Sequence, residues 1–141
     1  MIGALLRHPT LGVARAAAQQ VLDAVGLGER GAMLAGALNV AGQKRVELAR
    51  ALAASPKLLL LDEVAGGLNP GEALELAEIL RAIHARGVTL VIVEHVLEVV
   101  MQLAHRVLVL NFGQLIASGT PQDIVRNPEV IEAYLGRKYR A

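Results

Sequence analysis

"LLLLDEVAGGLNP", from Leu58 to Pro70, is the stretch whose reading decides the fold. Four aliphatic side chains run directly into two carboxylates, Asp62 and Glu63, and a loop of small residues then leads to an Asn-Pro pair. A run so apolar suits a strand buried on both faces of a parallel sheet. Acids at its carboxyl end stand where open α/β sheets bind ligands. Successive strand side chains point to opposite faces, so one carboxylate can hold a hydrated Mg²⁺ while its neighbour polarises a water. An isolated Asp-Glu pair is ordinarily a solvated turn or a helix cap. The aliphatic run before this pair and the helix start after it favour the functional reading.

Downstream, Asn69 offers an N-cap, Pro70 a first helical residue and Glu72 a capping partner. Leu76, Ile79, Leu80 and Ile83 follow at i, i+3, i+4, i+7 spacing, Gly87 stops the helix, and "VTLVIV" from Val88 to Val93 reads as the next strand. Strand, helix and strand at this length predict a βαβ unit. His95, just past the second strand, then emerges at the same sheet edge as Asp62 and Glu63. A lone His at a strand end is more often a surface residue; the neighbouring strand is what raises its standing. Leu97, Val100, Met101 and Ala104 mark another helix, and "RVLVLNFGQLIASG" predicts two strands about a turn containing Asn111 and Gly113. Thr120-Pro121 and Asn127-Pro128 open short terminal helices.

Upstream, an Ala-rich helix is predicted from Leu11 to Val25, with Gly26 as its left-handed cap, and a short helical connection from Leu27 to Ala37. Asn39 is an N-cap candidate for "VAGQKRVELARALAAS", in which Val46, Ala49 and Ala53 recur at helical spacing and which ends near Ser55 and Pro56. Leu38 to Gly42 is small and precedes a helix, so its N–H groups and the helix dipole suit an anion, although capping alone is the commoner use. Gly66 to Asn69 reads first as a tight connection. Arg45 and Arg50 suit phosphate, but charged positions on an amphipathic helix are usually a solvated face.

With 141 residues, the chain has room for one domain with a core. Hydrophobic residues at 54% with aromatics at 2% describe an α/β protein packed by small aliphatic side chains and argue against disorder. A net charge of +1, with Glu47 interrupting the bases between Lys44 and Arg50, gives no nucleic-acid footprint. The absence of Cys removes disulfides and thiolate metal sites and makes a cytosolic setting the default. No apolar run reaches the roughly 18 residues a membrane span needs. The opening "MIGALLR" places its charge after its apolar residues and reads as part of the fold rather than as a signal peptide. No internal repeat, low-complexity segment or linker is evident.

In this order the pieces resemble the ATP-binding subunit of ABC transporters, most closely the branched-chain amino-acid type. "LNVAGQKRVELARALAASPKLLLLDEVAGGLNPGE" resembles a signature motif leading through its helix to Walker B and the D-loop. "VIVEHVLEVV" resembles the switch-histidine region, and "RVLVLNFGQLIASGTPQDIVRNPEVIEAYLG" that subfamily's C-terminal end. The resemblance covers essentially the whole chain. It implies a partial P-loop NTPase (ABC ATPase) fold: α/β, a three-layer parallel sheet with helices, part of the helical subdomain, and a C-terminal β-hairpin. One partial nucleotide-binding domain is expected over 1–141, with about 1–55 forming helical subdomain and signature helix and about 56–141 the core from Walker B onward.

By the same resemblance the cofactors are ATP and Mg²⁺. Asp62 would hold Mg²⁺ through water, Glu63 would position or activate the attacking water, and His95 would contact the γ-phosphate. Leu38, Asn39, Val40, Ala41, Gly42 and Gln43 would form the signature segment facing ATP of a partner subunit, and Ala65 to Asn69 would lie across the dimer interface, with Asn69 in the D-loop. The implied partners are membrane permease subunits, a second ATP-binding subunit and, indirectly, a solute-binding protein. The implied place is the cytoplasmic face of the membrane.

Two departures stand out. Asn39, Val40 and Ala41 replace the common Ser-Gly-Gly of the signature, and no G-x-x-x-x-G-K-[ST] loop occurs, nor the upstream adenine-stacking aromatic or Gln loop. The resemblance is therefore to the later half of the domain. In the family the strand leading to the phosphate loop lies between those matching Val88–Val93 and Arg106–Leu110, so these two strands are expected to face a vacancy rather than each other. Mispairing, association with another chain or marginal stability would follow. The rival readings are a non-catalytic fragment that docks on a permease or a complete ATP-binding subunit, and an unrelated metal-dependent α/β hydrolase.

Overall fold

Side-chain caps start five of the α-helices among the described residues. The computed structural model describes residues 10–135, so the reading of "MIGALLR" lies outside the described residues. Thr10 caps α1 (Leu11–Ala24) by accepting from the Val13 N–H. Gly26, at φ +72°, ends it: Gly26 N–H donates to the Asp23 carbonyl and Leu27 N–H to that of Leu22, the paired bonds of a Schellman cap. Two 3₁₀ turns, Gly28–Arg30 and Ala35–Ala37, form the connection to α2 (Val40–Leu52), which Asn39 caps. Strand β1 (Leu58–Asp62) follows, then α3 (Pro70–Ala85), opened by a capping box between Asn69 and Glu72, and β2 (Thr89–Val93). Beyond these lie α4 (Leu97–Leu103), β3 (Val107–Asn111), β4 (Gln114–Gly119), α5 (Pro121–Ile124), α6 (Pro128–Val130) and a π-helical turn at Ile131–Leu135.

The described residues divide into two compact units, the first ending at Glu94 and the second beginning at His95. In the first, β1 and β2 pair in parallel with Leu58 opposite Thr89 and Asp62 opposite Val93, joined through α3 as the βαβ pattern requires. The expectation that β1 is buried on both faces is corrected. Leu59 and Leu61 are buried, whereas Leu58 and Leu60 are 51% and 69% exposed, and Val91, opposite Leu60, and Val93, opposite Asp62, are exposed too. Among the described residues only one face of this pair is covered, and an all-aliphatic run cannot reveal which.

The covered side is built on helix faces. Ala73, Leu76, Ala77, Leu80 and Ile83 of α3 are buried, with Leu80 fully so. In α2 the buried positions are Ala41, Gly42, Leu48 and Ala49, so Leu48 carries the contact in preference to Val46 or Ala53, which are half-buried.

In the second unit, Val109, Ala117, Ile124 and Val130 form a core against which Val107 and Ile116 pack. Strands β3 and β4 are antiparallel, with an irregularity between Val109 and Leu110. The turn runs over 111–114 and contains Asn111 and Gly113, as its sequence predicts. Asn111 closes the ladder opposite Gln114, and the two central residues are Phe112 and Gly113, both at positive φ (45° and 79°). Two-residue connections match strand twist in primed turns, and the one here takes the form with both residues left-handed, which overrides the preference of Phe. In α4 the buried side chain is Val99, not those at Leu97, Val100, Met101 and Ala104; seven residues are too few for periodicity to select a face. Strand β2 ladders only to β1, and β3 only to β4, so the direct β2–β3 pairing is not formed among the described residues. No helix among them is long and apolar enough to cross a membrane.

Two measurements check this fold. Leu80→Ala should destabilise the chain by about 2–5 kcal/mol in chemical denaturation, while Leu60→Ala should change it by no more than about 0.5 kcal/mol. The α5 cap supplies a pH signature. The Thr120 hydroxyl and then the Thr120 backbone N–H, both donating to the Asp123 carboxylate, lower its pKa below the ordinary 3.8, with Arg126 adding a smaller pull in the same direction. A carboxyl group depressed on folding contributes stability above its unfolded value and loses it as pH falls through the folded one. The Asp123 carboxyl carbon should therefore titrate below the ordinary aspartate range in an NMR pH series, and Thr120→Ala should return it upward.

Candidate functional site

The parallel register sets the geometry at the carboxyl end of β1. Asp62, opposite Val93, lies on the exposed face with Leu58 and Leu60. Glu63 leaves the strand at φ +47°, in the left-handed region, which costs a residue with a side chain about 1–2 kcal/mol. The surroundings hold it there. Its N–H donates to the Val93 carbonyl at 2.9 Å, and its own carbonyl accepts from Gly66 N–H at 3.1 Å and from Lys44 Nζ at 3.3 Å. Glu94, the residue after β2, accepts from the Ala65 N–H through Oε1 at 2.7 Å. The turn after β1 is thus tied to both the end of β2 and the side of α2.

Leu38 to Gln43 forms a second group. Asn39 Oδ1 accepts from the Gly42 N–H at 3.0 Å, and Gln43 Nε2 donates to the Leu38 carbonyl at 3.0 Å. Leu38, Ala41 and Gly42 are buried, whereas Asn39, Val40 and Gln43 are exposed. A Cβ at Gly42 would stand 2.9 Å from that of Leu38, so no side chain fits there. Asn39 itself occupies the N–H that an anion at this helix start would use. Asn69 is exposed at the N-cap of α3, with Oδ1 accepting from Glu72 N–H at 3.0 Å. Arg45, with its side chain 18% exposed, pairs with Glu75 of α3 at 2.5 Å. Arg50 lies exposed in the last turn of α2, where a cation complements the helix dipole.

In the first unit, the structure therefore assembles Asp62, Glu63, Leu38–Gln43 and Asn69. His95 is exposed and is the first residue of the second unit. Lys44 and Glu94, which sequence reading passed over, and Glu72, which it read only as a capping partner, hold this arrangement in place. Glu94 was legible, because aligning the two strands in parallel brings it level with the turn after Asp62. Lys44 and the second contact of Glu72 had no local signal. Among the described residues no group of three or more His, Cys, Asp and Glu side chains can hold a metal. A single carboxylate such as Asp62 nevertheless suits Mg²⁺, which keeps several waters and completes its shell with substrate phosphates.

Comparison with known proteins places this geometry. Residues 114–140 match the family model described as "Branched-chain amino acid ATP-binding cassette transporter". The chain is 40% identical over 116 residues to the high-affinity branched-chain amino acid transport ATP-binding protein LivG of Salmonella typhimurium, covering 82% of this chain and 46% of LivG. BraF of Pseudomonas aeruginosa, which carries the same description, is also 40% identical over 116 residues, with the same two coverages. The crystal structure of an ATP-binding cassette of an ABC transporter in its ADP conformation superposes with a TM-score of 0.78 at 31% identity, over 85% of this chain and 49% of that one. The chain resembles the ABC transporter ATP-binding family, and the relatives it matches are of the branched-chain amino-acid type. It spans a little under half the length of these relatives, and its likeness is to the C-terminal part of their ATP-binding domain.

The left-handed Glu63 is open to direct test. Glu63→Asn, which tolerates this backbone region, should raise stability in chemical denaturation by about 0.5–1 kcal/mol, and Glu63→Val should lower it by about 1–2 kcal/mol.

Proposed function

We propose that this chain supplies the hydrolytic and partner-facing residues of an ATP-binding subunit in an ABC importer for branched-chain amino acids. The observation that carries the reading is the Asp62–Glu63 pair at the carboxyl edge of a parallel βα unit, with the Glu63 peptide held from both sides. Bound Mg²⁺–ATP would bring the transferable phosphoryl group and a cation that offsets its charge. By the family resemblance Asp62 would hold the hydrated ion, Glu63 would orient the attacking water and take its proton, and His95 would contact the γ-phosphate. Leu38–Gln43 and Asn69 face ATP held by a second subunit. Rigid placement of these groups is most of what phosphoryl transfer asks of a protein. The phosphate-cradling loop comes from outside these 141 residues, since no G-x-x-x-x-G-K-[ST] occurs in them. The whole of 1–141 then acts as one partial nucleotide-binding domain, working with permease subunits at the cytoplasmic face of the membrane.

A second reading has its own support. The exposed apolar face made by Leu58, Leu60, Val91 and Val93 suits a chain that docks on a complete ATP-binding subunit without catalysing anything itself.

One assay separates them. The chain alone should hydrolyse no ATP. Mixed with an ABC ATP-binding chain that carries a phosphate loop but lacks its own catalytic carboxylate, it should restore turnover, and Glu63→Gln should lower that turnover by about 10²-fold or more. Hydrolysis by the isolated chain would overturn the half-site reading. Association without restored turnover would favour docking.

A further inference from the structure

We infer that Glu72 is a positioning residue that locks the start of α2 to the start of α3, so that Leu38–Gln43 and Asn69 form one surface. This rests on the reading of those residues as the partner-facing elements. An ordinary capping box uses a carboxylate to serve its own helix, and Glu72 does so through Oε2, which accepts from the Asn69 N–H at 3.1 Å. Its other oxygen, Oε1, accepts from Asn39 Nδ2 at 3.3 Å, a contact across 33 residues of chain. That bond holds the Asn39 amide with Oδ1 turned to its own helix, where it accepts from the Gly42 N–H. A continuous network results: the Gly42 N–H donates to Asn39, Asn39 donates to Glu72, and the Asn69 N–H donates to the other oxygen of Glu72.

Two neighbouring contacts run along the same seam. The Val40 side chain lies 3.7 Å from where a Cβ on Gly67 would stand, and Arg45 pairs with Glu75 one turn further along α3. Only a side chain of this length with two acceptor oxygens can serve both asparagines. A Gln at 72 has one acceptor, and an Asp at 39 has no N–H to give.

The test uses substitutions that each keep a helix cap. Glu72→Gln leaves an oxygen for the Asn69 N–H but turns an NH₂ group toward Asn39. Asn39→Asp leaves an oxygen for the Gly42 N–H but sets a carboxylate against Glu72. Combined, they rebuild the bond with reversed polarity, the new amide at 72 donating to the new carboxylate at 39. In the full chain, each single variant should speed amide hydrogen exchange at Gly42 by about three- to tenfold, and the double variant should return it to the parent rate. Turnover of the mixed assay should fall in both single variants and recover in the double.

Unchanged exchange in the single variants, or no recovery in the double, would overturn the lock. Restored exchange with turnover indifferent to all three variants would overturn the positioning role. If the parent mixture shows no turnover, the proposed function falls, and exchange in the chain alone still decides whether the lock exists.

Discussion

The parallel register between β1 and β2 is the constraint on which the rest of the first unit depends. Five residues of each strand pair without interruption, and Asp62 stands opposite Val93. Because side chains alternate, a slip of one position would carry Asp62 to the covered face and Leu61 into solvent. The same register brings the Val93 carbonyl to the Glu63 N–H and Glu94 to the Ala65 N–H, so the turn that carries the acids is shaped by the strand it does not belong to. A sheet edge thereby becomes a defined platform, although only two strands make it.

That platform stores strain at the residue proposed to do the chemistry. Glu63 sits in a backbone region that favours glycine, and it stays there because Val93, Gly66 and Lys44 over-determine its peptide. A small conformational penalty turns the backbone at Glu63 out of the strand conformation that Asp62 follows. The helices contribute in a different way. Asn39 and Asn69 cap α2 and α3 locally, and Glu72 and the Arg45–Glu75 pair then relate the two helices to each other. Local capping chemistry and tertiary alignment share the same side chains.

Much of this was legible along the chain. Caps and stops are written in a few adjacent residues, so Asn39, Asn69-Pro70-Glu72, Gly26, Gly87, Thr120-Pro121 and Asn127-Pro128 all mark the helix boundaries found. The acids after an aliphatic strand, and the order of motifs around them, pointed to the ABC family that the relatives show. Other features could not be read. Four successive leucines look the same whether one face or both are covered, and Leu60 is exposed. Arg45 reads as a surface charge until α3 brings Glu75 to it. Phe112 occupies a left-handed turn position that its own preference argues against.

The sequence by itself determined where the elements begin and end, which residue types meet the carboxyl end of β1, and the family resemblance. Capping, periodicity and motif order need only neighbours a few residues away. Tertiary structure alone decided the left-handed turn at Glu63, the covered face of β1, and the links from Lys44, Glu94 and Glu72. Each of those depends on a partner 19 to 33 residues distant whose arrival is set by strand register and helix alignment. Chain-local preference carries no record of such a distance; only the packed backbone supplies it.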